Sequence, residues 1–371
     1  MPVGRMIVPH NTIRPAEAGS FRAKLTRMKQ IKRILAAGVA MFGLVPSGAT
    51  AQSFDATGTR AAGMGGAFVG VADDATALYW NPAGLASGSY FSLVLDGSGR
   101  PAVPDAGTRG REQSAFFVGL TTPALGITYY RLHQTTAAPS AQLVPTGAAP
   151  SDRNLQGAAE VRLSSLTTHH AGITLVQSVL PGVAVGATLK MVRGFAAAQL
   201  TTAATAKAAF DEEALATNGS SRFDADLGVM ASSPRLKAGV TFRNLLEPEF
   251  ASSDGVELKL ERQIRAGVSW MVAANWVLAS DIDLLVTHDA FGERRDGAIG
   301  VEGRVGRRVS IRSGFKLNLA DSDGVESDAS ARGYSAGGSF AVTPAVFLDA
   351  VAATGGDRAG HGWGVSARFV Y

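Results

Sequence analysis

From about residue 90 onward, apolar and polar positions alternate with a period of two. Leu236, Ala238, Val240 and Phe242 alternate with Lys237, Gly239, Thr241 and Arg243. Ile264, Ala266, Val268 and Trp270 alternate with Arg265, Gly267 and Ser269. The same rhythm runs through Val309–Leu317 and again through Trp363–Tyr371. Successive side chains of a strand point to opposite faces, so each such run has one apolar face and one polar or small face. Read this way, the chain predicts about fourteen strands. They start near Tyr90, Glu112, Leu125, Ser165, Gly182, Arg222, Arg235, Arg262, Trp276, Gly297, Arg308, Gly333, Val346 and Gly362.

The connections alternate too. Short turns fall at Thr121–Ala124, Val179–Pro181, Ser232–Pro234, Ala273–Asn275, Gly306–Arg307 and Thr343–Ala345. Long polar connections span 97–111, 132–164, 194–221, 244–261, 287–296, 319–332 and 355–361. Short turns at one end and long loops at the other are the plan of an outer-membrane barrel. The fold class expected is therefore all-β: a transmembrane antiparallel β-barrel of about fourteen strands, residues 90–371. A soluble sandwich would alternate as well, but would not need loop lengths that alternate. Trp270, Trp276, Trp363, Tyr334 and Tyr371 stand near strand ends on the apolar face, where the two bilayer interfaces favour aromatics. Outer-membrane lipid is the first partner expected, and the last strand, ending in Tyr371, is expected to engage the barrel-assembly machinery.

If the apolar face meets lipid, the other face is the lumen. Gly119, Gly126, Gly172, Gly186, Gly228, Gly239, Gly267, Gly300, Gly314, Gly337 and Gly364 all fall on it. Glycine within a strand marks bending or the close approach of another backbone, so these positions either let a narrow barrel curve or make room for something packed inside. The same face carries Lys190, Lys237, Arg243, Arg265, Arg304, Arg312, Lys316 and Arg368. Against them stand Asp224, Asp226, Asp281, Asp283, Glu302 and Asp349. The signs nearly cancel. A selective ion pore would show a ring of one sign; a balanced lumen suggests internal ion pairing, or scattered charge in a wet channel.

Composition changes the picture mainly at the N-terminus. A basic stretch (Arg27, Lys29, Lys32, Arg33), a short apolar run from Ile34 to Val45 and Ala49-Thr50-Ala51 form the three parts of a secretory signal peptide. Residues 1–51 are expected to be removed, with Met28 as an alternative start that would make the preceding residues an over-called extension. The formal net charge of +4 belongs to this segment, which holds eight basic residues and one acid. The remaining chain has 27 basic and 30 acidic residues. That balance gives no support for nucleic-acid binding. The absence of cysteine excludes disulfides and thiolate metal sites.

Between signal and barrel lies a glycine- and alanine-rich stretch with few strand signals. Asp73-Asp74 precedes Ala75–Tyr79, a candidate short helix capped by an acid, and Asn81-Pro82 ends it. The elements Arg60, Gly63-Met64-Gly65-Gly66, Ala72-Asp73-Asp74-Ala75 and Asn81-Pro82-Ala83-Gly84-Leu85 resemble the start of the FadL-type outer-membrane transporter superfamily, with its PorV-like and TraF-like relatives. The resemblance is strongest over about thirty residues and implies an N-terminal plug, residues 52–89, inside a fourteen-stranded barrel lumen. The family's ligand positions on the barrel do not align, so none is carried over.

Other chemistry is thinly supported. Gly63-Met64-Gly65-Gly66 lacks the Lys-Ser/Thr ending of a phosphate loop. His169 and His170 point to opposite strand faces and cannot share a metal. Asp73-Asp74 would suit a calcium ion with loop carbonyls, or a helix cap, or an ion pair. No catalytic residues, metal or cofactor are expected. Two functions fit: passive transport of a hydrophobic or amphipathic small-molecule ligand across the outer membrane of an exported barrel, or a PorV-like role docking secretion or assembly partners without transport. The expected plug residues are Arg60, Gly63, Met64, Gly65, Gly66, Asp73, Asp74, Asn81, Pro82 and Ala83. The expected lumen residues are Gly239, Gly267, Arg265, Asp281, Asp283, Glu302, Arg304 and Arg312.

Overall fold

The computed structural model describes residues 57–100, 110–139, 160–202, 219–252, 257–289, 292–320, 332–355 and 361–371. The expected signal peptide and cleavage site lie outside the described residues. Fourteen strands form one closed antiparallel barrel. In chain order they are β1 (Ser92–Arg100), β2 (Gly110–Thr121), β3 (Leu125–Pro139), β4 (Glu160–Leu180), β5 (Val183–Thr202), β6 (Ser220–Ser232) and β7 (Leu236–Arg243), then β10 (Gln263–Ala273), β11 (Trp276–Asp283), β14 (Asp296–Val305), β15 (Val309–Asn318), β16 (Arg332–Ala341), β17 (Val346–Gly355) and β18 (Gly362–Val370). The barrel closes where β1 pairs with β18, Ser92 opposite Val370 and Gly99 opposite Trp363.

Alternation places the strands well because one face is apolar and exposed while the other is enclosed. On β4, for example, Ile173 and Leu175 are exposed while Thr168, His170 and Thr174 are buried. The expected girdle residues Trp270, Trp276, Trp363, Tyr334 and Tyr371 are all exposed on the outward wall. His169 and His170 do point apart: His169 bonds the Tyr129 hydroxyl on the outward side, and His170 stacks on buried Tyr130.

Three expectations need correction. β4 begins at Glu160, five residues before the expected Ser165, and β3 and β5 run on to Pro139 and Thr202. In these extensions Thr135, Ala137, Val161 and Leu163 are buried on what is elsewhere the outward face. Both faces are covered, so the apolar–polar contrast disappears. The connections 244–261 and 287–296 are not plain loops. They carry the hairpins β8–β9 (Glu249–Ala251, Glu257–Lys259) and β12–β13 (Thr287–Asp289, Gly292–Arg294), in which strands of three residues are too short to show a period. The short helix spans Ala77–Trp80 with Thr76 at its N-cap and no side-chain cap bond. Asp74 acts one step earlier, where its Oδ1 accepts from the backbone N–H and the hydroxyl of Thr76.

Ahead of β1 the chain forms α1 (Thr59–Gly63), α2 (Ala77–Trp80) and a 3₁₀ turn, Pro82–Ser87. Almost every residue from Thr57 to Leu85 is buried. Phe68, Leu78, Tyr79 and Trp80 join Phe117, Tyr130, Leu132 and Met230 of the strands in one apolar cluster.

Candidate functional site: the packed interior

The inward glycines form the floor on which this segment lies. A Cβ added to any of ten of the eleven would meet residues 59–83. Gly119 faces the carbonyl of Ala75, Gly126 faces Leu78, and Gly186 and Gly228 face Pro82 and Ala83. Gly239 faces Asn81, Gly267 faces Val69, Gly300 and Gly314 face Met64, Gly337 faces Gly63, and Gly364 faces Thr59. Gly172 is the exception, enclosed by Thr128, Thr188 and Lys190. Of the two readings left open by the sequence, these contacts support close backbone approach. On the segment's side, Gly65 and Gly66 have φ of 68° and 87°, the left-handed region that suits glycine. A Cβ on Gly65 would also stand 2.8 Å from the backbone nitrogen of Phe315.

Charge adds a second set of contacts. Arg60 grips Glu302 on β14 with two prongs, Nε to Oε2 at 2.8 Å and Nη2 to Oε1 at 2.7 Å. Its Nη1 pairs with both Asp73 and Asp74. Glu302 in turn accepts from Arg312 on β15. Arg312 reaches Asp349 on β17 at 3.2 Å, Asp349 pairs with Arg368 on β18 at 3.2 Å, and Arg368 returns to Asp74 at 3.6 Å. Arg60, Glu302, Arg312, Asp349, Arg368 and Asp74 thus make a closed ring of alternating sign between the segment and four strands. Ser339 and Ser366 add hydrogen bonds to Asp349. Burial opposes the ionisation of Asp74, yet Arg60 and Arg368 outweigh it and hold its carboxyl below the ordinary carboxylate range. The calcium alternative loses its ground here, because both carboxylates of Asp73-Asp74 are spent on Arg60. Among the described residues no cluster of ligands suits a metal.

Polar side chains seat the rest of the segment. Asp281 on β11 accepts the backbone N–H groups of Phe68 and Val69 at 2.9 and 2.8 Å. Asp96 on β1 accepts those of Gly58 and Thr59, at the start of α1. Ser335 on β16 bridges Gly63 and Gly65, and Ser269 on β10 donates to the Gly70 carbonyl at 2.7 Å. Asn81 donates from Nδ2 to the carbonyls of Val69 and of Val229 on β6, and its Oδ1 accepts from Ala83. Pro82 follows at the first position of the 3₁₀ turn, where a fixed φ and a missing N–H cost nothing.

Of the expected lumen residues, Gly239, Gly267, Asp281, Glu302 and Arg312 touch the segment directly or through the ring. Arg265 is buried in a two-pronged pair with Asp283 and reaches the Gly66 carbonyl at 3.5 Å. Arg304 shares the inward parity of Glu302 but is exposed at the short-turn end of β14, outside the ring. Asp96 and Ser335 were not singled out by the sequence. Asp96 precedes Gly97-Ser98-Gly99, where alternation of apolar and polar types fails, although its parity with buried Val94 would have placed it inward. A second polar cluster lies under β5 to β7, where buried Lys190 pairs with Asp224 and Asp226 and bonds Asn244. The Arg243 guanidinium stands 3.6 Å over the Tyr79 ring beside it.

A cleft of about 80 Å³ lies at the loop end between Thr57, Gly58 and Ala62 of the segment and a mixed wall that includes Gln113, Ser114, Leu132 and His133. On the outward side, small residues (Gly97, Gly338, Ala350, Ala367) hollow the wall between Leu95, Phe340 and Val365 into an open apolar groove of about 840 Å³.

The closed fourteen-stranded antiparallel barrel is a fold shared with FadL-type channels. Solved structures bear this out at low sequence identity. A monoaromatic hydrocarbon channel, CymD, superposes with a TM-score of 0.63 at 14% identity, over 86% of this chain and 99% of that one. The toluene transporter TodX of Pseudomonas putida gives 0.55 at 12%, over 86% and 99%. A Pseudomonas aeruginosa FadL homologue gives 0.53 at 11%, over 88% and 99%. A family model described as "F plasmid transfer operon, TraF, protein" matches residues 105–283. No curated protein matches the chain.

Proposed function

We propose that this chain is a passive conduit in the bacterial outer membrane for hydrophobic or amphipathic small molecules, with residues 52–89 as the plug that gates it. The observation that carries the reading is the seat itself. Ten glycines, one charge ring, an apolar cluster and a few side-chain bonds to backbone hold the segment in one defined position. Hydrocarbon transport by the structural neighbours supports the class of cargo. Asn81 and Pro82 set the exit of the plug toward β1. The test is uptake of apolar dyes and monoaromatic compounds by cells expressing wild type, Asn81→Ala or Pro82→Ala, with heat-modifiable gel migration as the folding control. Altered uptake by folded variants is expected. Wild-type uptake equal to an empty-vector strain across the panel would end the transport reading.

A second reading, a docking protein without transport, draws on the packing of residues 59–83 against the inner strand faces and on the match to the TraF model. Affinity capture of envelope partners by a strain that shows no uptake would favour it.

A further inference from the structure

Charge is unevenly placed along the barrel axis. The six short turns contain no acid, whereas the long connections at the other end contain many. The short-turn end carries Arg235 and Lys237 at the β6–β7 turn, and Arg304, Arg307 and Arg308 at the β14–β15 turn. These residues occupy one arc of the rim, because β6, β7, β10, β11, β14 and β15 are successive neighbours in the closed barrel. Backbone bonds run along that arc, from the Met271 N–H to the Arg235 carbonyl at 2.8 Å and from the Arg304 N–H to the Asn275 carbonyl at 2.9 Å. The turns β2–β3, β4–β5 and β16–β17 are uncharged. Among the described residues, no carboxylate side chain pairs with any of the arc's basic groups. Lys237 donates to the Ser87 hydroxyl at 3.2 Å, where the segment leaves for β1. Glu302, two positions from Arg304 on the same face, is already taken by Arg60 and Arg312.

The side of the rim on which the charges stand decides what they can meet. Lys237, Arg304 and Arg308 share the parity of Gly239, Glu302 and Arg312, on the lumen side. Their outward neighbours Leu236, Val305 and Val309 are exposed and apolar. Lipid headgroups would meet that outward row, whereas the charges flank the exit of the lumen. The two charged turns are four strand spacings apart, roughly 19 Å across the sheet. That is more than twice the screening length of about 8 Å at physiological salt. A small anion therefore reaches only one of them. A polypeptide with acids spaced along its surface reaches both, and a field of one sign steers such a partner to its seat.

We propose that Arg235, Lys237, Arg304, Arg307 and Arg308 form a docking arc for an acidic polypeptide of the periplasm, seated beside the lumen exit. The inference rests on the short turns facing the periplasm, as in the plan of outer-membrane barrels, and holds whether or not the barrel transports.

The test titrates the purified full chain in neutral detergent with a fluorescent glutamate-rich peptide long enough to span both turns, and with a Gly-Ser peptide of equal length. Wild type should bind only the acidic peptide. Arg304→Gln/Arg307→Gln/Arg308→Gln should bind it about tenfold more weakly, since each exposed charge pair is worth up to a few-fold. Arg222→Gln/Arg332→Gln, at the loop end, should match wild type. Heat-modifiable migration reports folding; if the triple variant is unfolded, Arg307→Gln alone should show a smaller loss in the same direction. In intact cells, a photoreactive side chain at exposed Asn275, between the charged turns, should form a protein adduct that the triple variant loses. Equal peptide binding by a folded variant overturns the proposal, as does an adduct that is absent or that survives in the triple variant. So does a selective loss of co-purified phosphatidylglycerol from the triple variant, which would assign the arginines to lipid headgroups. Labelling of Asn275→Cys on intact cells by a membrane-impermeant maleimide would refute the periplasmic placement beneath it, an outcome separate from any failure of uptake.

Discussion

Arg60 and Glu302 meet through two hydrogen bonds across 242 positions of sequence, and with them the segment ahead of the barrel is pinned to β14, the tenth barrel strand in chain order. Removing one partner leaves the other charge largely enclosed and uncompensated, which costs about 3–5 kcal/mol for a buried pair. Arg60→Ala and Glu302→Ala should each make residues 57–88 protease-sensitive in the folded barrel. The double variant should recover part of the loss. A double-mutant cycle on the midpoint of segment release gives the coupling, and strictly additive effects would contradict a direct pair.

The glycine floor gives a positional prediction. Gly239→Val and Gly267→Val place branched side chains against Asn81 and Val69, and overpacking of this kind costs about 1–3 kcal/mol. Gly333→Ala, on the same face but with its nearest neighbour 3.8 Å from an added Cβ, should be tolerated. Heat-modifiable migration together with limited proteolysis separates loss of the barrel from displacement of the segment.

Acid should loosen the ring. Asp74 has a folded-state pKa below its unfolded value, because Arg60 and Arg368 outweigh burial. Its contribution is therefore present above the ordinary carboxylate value of about 3.9 and is lost as pH falls below it toward the folded value. Protease protection of the segment should hold at neutral pH and decline only in that acid window. Asp74→Asn should remove this contribution to the acid step, with weaker protection at neutral pH.

Trp80 offers a direct reporter. It is fully buried, while Trp270, Trp276 and Trp363 are exposed on the outward wall. With those three changed to Phe, the emission of Trp80 should be blue-shifted and shielded from both aqueous quenchers and brominated lipid. Adding Arg60→Ala should red-shift it and admit the aqueous quencher.

Much of the barrel was legible because a wall one residue thick shows its surroundings one face and the interior the other. The strand starts Leu125, Trp276, Val346 and Gly362 coincide with expectation for that reason. Legibility failed where the rule lapsed: at Val161 and Leu163, enclosed on the face that elsewhere looks outward, and in three-residue hairpin strands. The interior was half legible. Parity placed the glycines and most of the charged residues, but which arginine meets which acid depends on how neighbouring strands are staggered, and periodicity carries no such information. Arg304 shows the limit, since its parity is inward while its position at the strand end leaves it in solvent. Asp96 shows the converse, an anchor hidden by the glycines that follow it.

The ring also has an order in time. Asn81 finds its carbonyl on β6, 148 positions downstream, whereas Arg60 needs β14, and the circuit through Arg368 needs β18, the strand that also pairs with β1. Contacts so distant along the chain pay the larger loop-closure entropy. The Asn81 end of the segment can thus take its place while the cylinder is still an open sheet. The Arg60 end acquires its full set of partners only when the last strand is present, so the electrostatic circuit is complete only in a finished barrel.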